Sequence, residues 1–186
     1  MIPLAVRRGA YVFTSTLDGE NENGFMDTEP LAQLEAAFGK LPGALASVGA
    51  KPSELVAITI AIADDEYAAV AAELWRSIFG ERGGGPAARI TTMALPFGHL
   101  VHIFGTAIVG ASRQSVPPPA GMPDGTFAGA ARCGDLCVTS ALDGRRADGS
   151  YPTAIDDEIA QAFDNVAACV IAAGGTSDDL LHYWAF

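Results

Sequence analysis

The sequence is short of positive charge. Only Lys40 and Lys51 carry ammonium groups, and Lys plus Arg together number 11 against 22 acidic residues, for a net charge of -11. The arginines are scattered, so the counterion release that drives nucleic-acid binding has no footprint here, and no nucleic-acid partner is expected. Cysteine is scarce as well. Cys133, Cys137 and Cys169 are odd in number and lack paired CxxC spacing, which argues against a disulfide framework and a structural zinc site and for reduced, buried thiols. Apolar runs are short: Leu55 to Ala63, interrupted only by Thr59, falls far below the ~20 residues of a membrane-spanning helix, so no membrane partner is expected. Arg7 and Arg8 have no apolar stretch and cleavage site behind them, so no secretory leader is expected and a cytoplasmic location is the expectation. There is no G-x-S-x-G elbow, and no GK[ST] follows Gly83-Gly-Gly-Pro86, which excludes the usual serine hydrolase and P-loop readings.

What is there is enough to fold. The 186 residues are 49% hydrophobic and 18% charged, sufficient for one domain, or one and a fraction, around a real core. The fraction has a source in the sequence itself. Gly9-Ala-Tyr-Val-Phe-Thr-Ser-Thr-Leu-Asp-Gly19 recurs as Gly134-Asp-Leu-Cys-Val-Thr-Ser-Ala-Leu-Asp-Gly144, an offset of 125 residues (Gly9 to Gly134). Without a gap the same offset pairs Gly24 with Gly149, Thr28 with Thr153, Phe38 with Phe163, Gly49 with Gly174 and Leu55 with Leu180. The organisation expected is copy one over 1–113, a linker over 114–126 containing Pro117-Pro-Pro119, and a partial copy two over 127–186.

Each copy opens with a short alternating run, which in copy one predicts antiparallel pairing of Leu4 to Arg8 with Tyr11 to Ser15. A glycine-containing loop and an amphipathic helix follow. Leu34, Phe38, Leu41 and Leu45 form one buried stripe, matched by Ile159, Phe163, Val166 and Val170. Leu55 to Ala63 reads as a central strand covered on both faces. A second helix is expected with Tyr67, Val70, Leu74 and Ile78 inward, then strands over Arg89 to Ala94 and Leu100 to Ile108 around Leu95-Pro96-Phe97-Gly98. Copy two has no counterpart of residues 62 to 113. Its last segment, Leu180 to Phe186, reads as an apolar strand that must be buried against copy one or another chain.

These residues resemble the RidA/YjgF reactive-intermediate deaminase family. The resemblance rests on Gly9 to Ser15, the helix ending at Gly49, Pro86-Ala-Ala-Arg89 and Ala94-Leu-Pro96, and in copy two on the lead-in from Pro123 to Gly134 with Phe127 at a tyrosine position. It implies an α/β, chorismate-mutase-like fold, here duplicated: a mixed sheet with the helices of both copies on one face. It also implies homo-oligomers, as trimers or as an assembly of repeats in which copy two takes a neighbouring subunit's place. The activity implied is hydrolysis of a small carboxylate-bearing enamine, imine or related reactive intermediate, without metal or other cofactor. Arg89 would clamp the carboxylate, as a forked guanidinium does better than an ammonium.

The sequence departs from the family at the site. His102 stands where the family has its water-orienting glutamate, Leu17 replaces a glutamine and Ala71 an asparagine. Arg89 and His102 are therefore the catalytic candidates, with Arg89, Ser15, Leu17, Phe127 and Ser140 as substrate-binding positions. His102 reads equally as a packed strand residue, and Ser15 and Ser140 as strand-to-loop hydrogen bonds. His99 and His102, i and i+3 on a strand, are expected on opposite faces, which with no carboxylate nearby speaks against a metal site. The alternative to a hydrolase is a catalytically silent ligand-binding or assembly protein.

Overall fold

The computed structural model describes residues 3–80, 83–118 and 127–182. Strands β1 (Ala5–Arg8) and β2 (Tyr11–Thr14) pair antiparallel, Val6 opposite Phe13, as the alternating pattern predicts. Gly9 turns the hairpin at φ 62°, a left-handed conformation that a Cβ disfavours. After β3 (Leu17–Asp18) comes helix α1 (Pro30–Ala46), with proline in its first turn, where the missing N–H costs nothing. Leu34, Phe38, Leu41 and Leu45 are all buried, as expected. Strand β4 (Leu55–Ile62), helix α2 (Ala68–Phe79) and strand β5 (Ala87–Thr92) form a parallel crossover unit, and β6 (Val101–Ile108) returns antiparallel between β2 and β4. The mixed sheet runs β1-β2-β6-β4-β5, with β3 on β6. Ile58, Ile60, Ile62, Val101 and Ile103 meet the helices in the main core. In α2 the innermost residues are Ala71 and Trp75, one position over from the stripe read in the sequence. Trp75 settles this: its large ring fills the space among Phe38, Phe79 and Phe127, leaving Ile78 exposed.

A second sheet is made of β7 (Gln114–Val116), β8 (Ala130–Cys133) and β9 (Leu136–Thr139). β7 lies in the stretch read as linker; its backbone pairs with β8 before the prolines, which have no N–H to donate, end it. Most of the rest of that linker, 119–126, lies outside the described residues. Ala131 and Cys133, with Leu136 and Val138 beside them, pack against Val56, Ala87 and Ile108 on the face of the first sheet that α1 and α2 leave open. Helix α3 (Ile155–Ala172) backs the second sheet from its other side, where Cys169 and Cys137 lie near each other. The expectation that helices of both segments share one face of one sheet is therefore corrected. Two sheets meet face to face with helices outside, because β4 and β5 carry apolar residues on both faces.

Hydrogen bonds recur at the 125-residue interval. Arg7 Nε donates to Gly9 O at 2.8 Å and Arg132 Nε to Gly134 O at 2.9 Å. Their Nη1 atoms reach Val48 O and Ala173 O, at the ends of α1 and α3. Gly19 and Gly144 leave no room for a Cβ, which would collide with Gln33 and Glu158 respectively.

The two segments differ in what covers them. Ile159 and Phe163 are exposed and Val166 half-buried, against expectation, because among the described residues α3 has no counterpart of β4 and β6 to pack on. Residues 180–182 form no strand, which corrects the strand expected there, and Leu181 is 91% exposed and so not buried against the first segment; Tyr183 to Phe186 lie outside the described residues. A lone strand without neighbours has nowhere to place its backbone hydrogen bonds.

Gly19→Ala and Gly144→Ala should each lower stability by about 1–3 kcal/mol through overpacking. Gly39→Ala, with open space around it inside α1, should raise stability by up to about 1 kcal/mol. Urea-unfolding midpoints of the three variants check this.

Candidate functional site

Alternation along β5 decides where Arg89 points. Ala88 and Ile90 belong to the helix-side core, so Arg89 and Thr91 lie on the opposite face. Arg89 pairs with Thr59 on β4, and its Nη2 donates to Thr59 Oγ1 at 3.3 Å. Across β4, Thr59 pairs with Phe104 and Ala61 with His102, so all five residues share one face. Arg89 and His102 are two strands and one pleat apart, roughly 12 Å between Cα atoms from ordinary strand spacings. Both are half-buried.

Segment 127–182 reaches Arg89 through its neighbour. Ser140 Oγ accepts from Ala88 N at 2.8 Å and donates to Ala128 O at 2.5 Å, while Ala141 N donates to Ala88 O at 3.0 Å. Ser140 is buried and its hydroxyl is bonded to backbone on both sides, which is the strand-to-loop hydrogen bond of the second reading, beside Arg89. Ser15 makes the equivalent bond to Pro3 O and lines an open groove with Pro3, Leu4, Thr14, Thr16 and Phe104. Leu17 is 1% exposed in the core, so its side chain offers no surface to a ligand. Phe127 packs edge-on against Trp75 with ring centroids 5.1 Å apart, an anchor for the second segment.

His102 has company that the sequence reading missed. His99 precedes β6 and is not part of the strand, so strand alternation does not govern it; its Nδ1 lies 2.8 Å from His102 Nε2 with the rings nearly perpendicular. Asp18 pairs with His102 across β3 and β6 and holds Lys40 at 2.6 Å. Burial and the neighbouring His99 push the His102 pKa below its ordinary 6.5, with Asp18 opposing them. Burial alone would raise the Asp18 carboxyl, but the Lys40 hydrogen bond and charge hold it below 3.8. Thr59 did leave a signal, as the one polar residue inside the longest apolar run. Among the described residues no cluster of three or more His, Cys, Asp or Glu is placed to hold a metal ion, and no helix is long and apolar enough to cross a membrane.

The fold of this site has known relatives. Over 57% of the chain and 86% of theirs, it superposes on the Rid-family protein YyfA of Yersinia pestis (22% identity) and the YjgF gene product of E. coli (21%), each with a TM-score of 0.52. This is the α/β, chorismate-mutase-like RidA fold. In sequence, the chain is 33% identical over 81 residues to the RutC family protein YjgH of Escherichia coli (strain K12), a match covering 44% of this chain and 58% of that relative. No protein-family model matches the sequence. The chain thus shares the RidA fold and, over those 81 residues, is similar to a RutC family protein of which it spans little more than half the length.

The lowered His102 pKa has a consequence for stability. Between the folded value and 6.5 the unfolded chain holds more protons than the folded one, so stability rises with pH in that window and is lost as pH falls through it. Urea midpoints should drop as pH is lowered below about 6.5, and His102→Gln should flatten that drop.

Proposed function

We propose that the protein is a divergent RidA-like hydrolase acting on a small carboxylate-bearing imine or enamine. The observation that carries the reading is Arg89: a half-buried guanidinium, oriented by Thr59, on the open face of the sheet where the second segment is bonded to its own strand. Partial desolvation strengthens a forked pairing with a carboxylate. One structural neighbour, TdcF of E. coli, 20% identical with a TM-score of 0.52 over 56% of this chain and 85% of that one, was solved with bound serine, itself a small carboxylate. The reaction needs no redox partner. Water adds to the C=N carbon of a 2-imino acid, the C–N bond breaks with a proton transferred to nitrogen, and ammonia leaves a 2-keto acid. His102 steers the water as proton acceptor, and the Ser15 groove takes the remainder of the substrate.

Arg89→Lys should lower kcat/KM toward 2-imino acids nearly as much as Arg89→Ala, by about 10-fold or more, because lysine keeps the charge but loses the fork. Ammonia release assays on both variants check this; wild-type rates in both would remove the clamp. A second reading, a ligand-binding or assembly protein without turnover, is favoured by the buried Leu17 and the committed Ser140 hydroxyl. Carboxylate binding lost in Arg89→Ala with no turnover in the wild type would select it.

Residues 127–186 are on this reading a second, partial copy occupying the position of a neighbouring subunit. The recurring hydrogen bonds support it, and so do the burial of Ala131 and the partial burial of Leu136 and Val138, whose equivalents in copy one, Val6, Tyr11 and Phe13, are about half exposed. That open apolar face is where chains associate into homo-oligomers. Phe13→Glu should convert the oligomer to monomer in sedimentation runs at several concentrations. A wild-type chain that stays monomeric throughout ends the assembly reading.

A further inference from the structure

The turn that carries His99 is unusually well fixed. Gln33 of α1 is fully buried, and its amide spans Asp27 O at 2.6 Å and Gly98 O at 2.9 Å while its Oε1 accepts from Leu100 N at 2.8 Å. These bonds clamp the residues on either side of His99, and His99 N donates to Pro96 O. Buried and fully bonded, the amide costs little to keep and holds the turn in one place. The outcome is a histidine held 2.8 Å from the His102 ring, outside the strand on which His102 sits.

That contact restricts the protons. A bond from His102 Nε2–H to His99 Nδ1 leaves both rings in the Nε2–H tautomer, the form a free neutral imidazole prefers; the reverse bond would force both into the Nδ1–H form. We propose that His99 is a positioning residue for His102: it accepts the Nε2 proton, fixes the tautomer, and leaves Nδ1 as the atom that takes a proton from water. The inference rests on the hydrolase reading for its catalytic meaning, but the paired tautomers do not depend on it. The charged groups facing the pair are Asp18 from β3 and, behind it, Lys40 from α1; β4 presents the uncharged Ala61. Asp18 bonds Lys40 through Oδ1, and the hydrogen bond seen between the histidine rings joins His102 Nε2 and His99 Nδ1.

Long-range proton–nitrogen spectra of the full-length labelled protein across pH test this, with the wild type, His99→Ala and His99→Gln. Expected in the wild type is an Nε2–H tautomer for His102 at neutral pH. His99→Ala should give His102 mixed tautomers, while His99→Gln, whose side-chain oxygen still accepts, should retain the Nε2–H form. A wild-type His102 protonated at Nδ1, or a tautomer unchanged in His99→Ala, overturns the proposal. In 2-imino acid turnover, His99→Ala should lower kcat by about 10-fold, with KM within about twofold and the acid limb of the pH profile displaced; a superimposable profile also overturns it. Paired histidines in a protein with no turnover would instead refute the hydrolase reading and leave the pairing intact.

Discussion

Burial of β4 and β5 on both faces is the constraint around which the molecule is arranged. One face takes α1 and α2; the other takes the second sheet through Val56, Ala87 and Ile108 against Ala131, Cys133 and their neighbours. The contact is apolar and so carries little orientation of its own. Direction comes from backbone bonding: Ala88 exchanges hydrogen bonds with Ser140 and Ala141, and the Ser140 hydroxyl is closed off by Ala128 O. Removing water from around β5 in this way is also what half-buries Arg89.

The same sheet face holds two unlike groups of polar residues. Arg89 and Thr59 sit toward β5, against the second segment; His102, His99 and Asp18 sit toward β3 and the turn held by Gln33. Burial and the neighbouring His99 lower the His102 pKa from its ordinary 6.5.

Where the second sheet does not reach, apolar groups remain open. Val6, Tyr11 and Phe13 occupy the same positions in the first hairpin that Ala131, Leu136 and Val138 occupy in the second, yet only the second hairpin has a partner face within the described chain. Helix α3 repeats the contrast with α1: Leu34 and Phe38 are buried, their equivalents Ile159 and Phe163 are exposed. Equal side-chain patterns therefore have unequal surroundings, and their burial is a property of the neighbouring elements.

The sequence by itself determined the local elements. Alternation predicted the β1–β2 hairpin, the heptad-like spacing predicted the α1 stripe, and the run from Leu55 predicted a strand covered twice, because these depend on periods of two and 3.6 residues that are written along the chain. It also singled out Arg89 and His102. Tertiary structure decided the rest. Which residue of α2 points inward was set by the size of Trp75; whether the α3 stripe is buried was set by strands elsewhere; and the Ser140 hydroxyl is spent on backbone by its position beside Ala88. His99 became the partner of His102 because a buried glutamine from a distant helix fixes its turn. Contacts such as these join residues tens of positions apart, and no period along the chain encodes them.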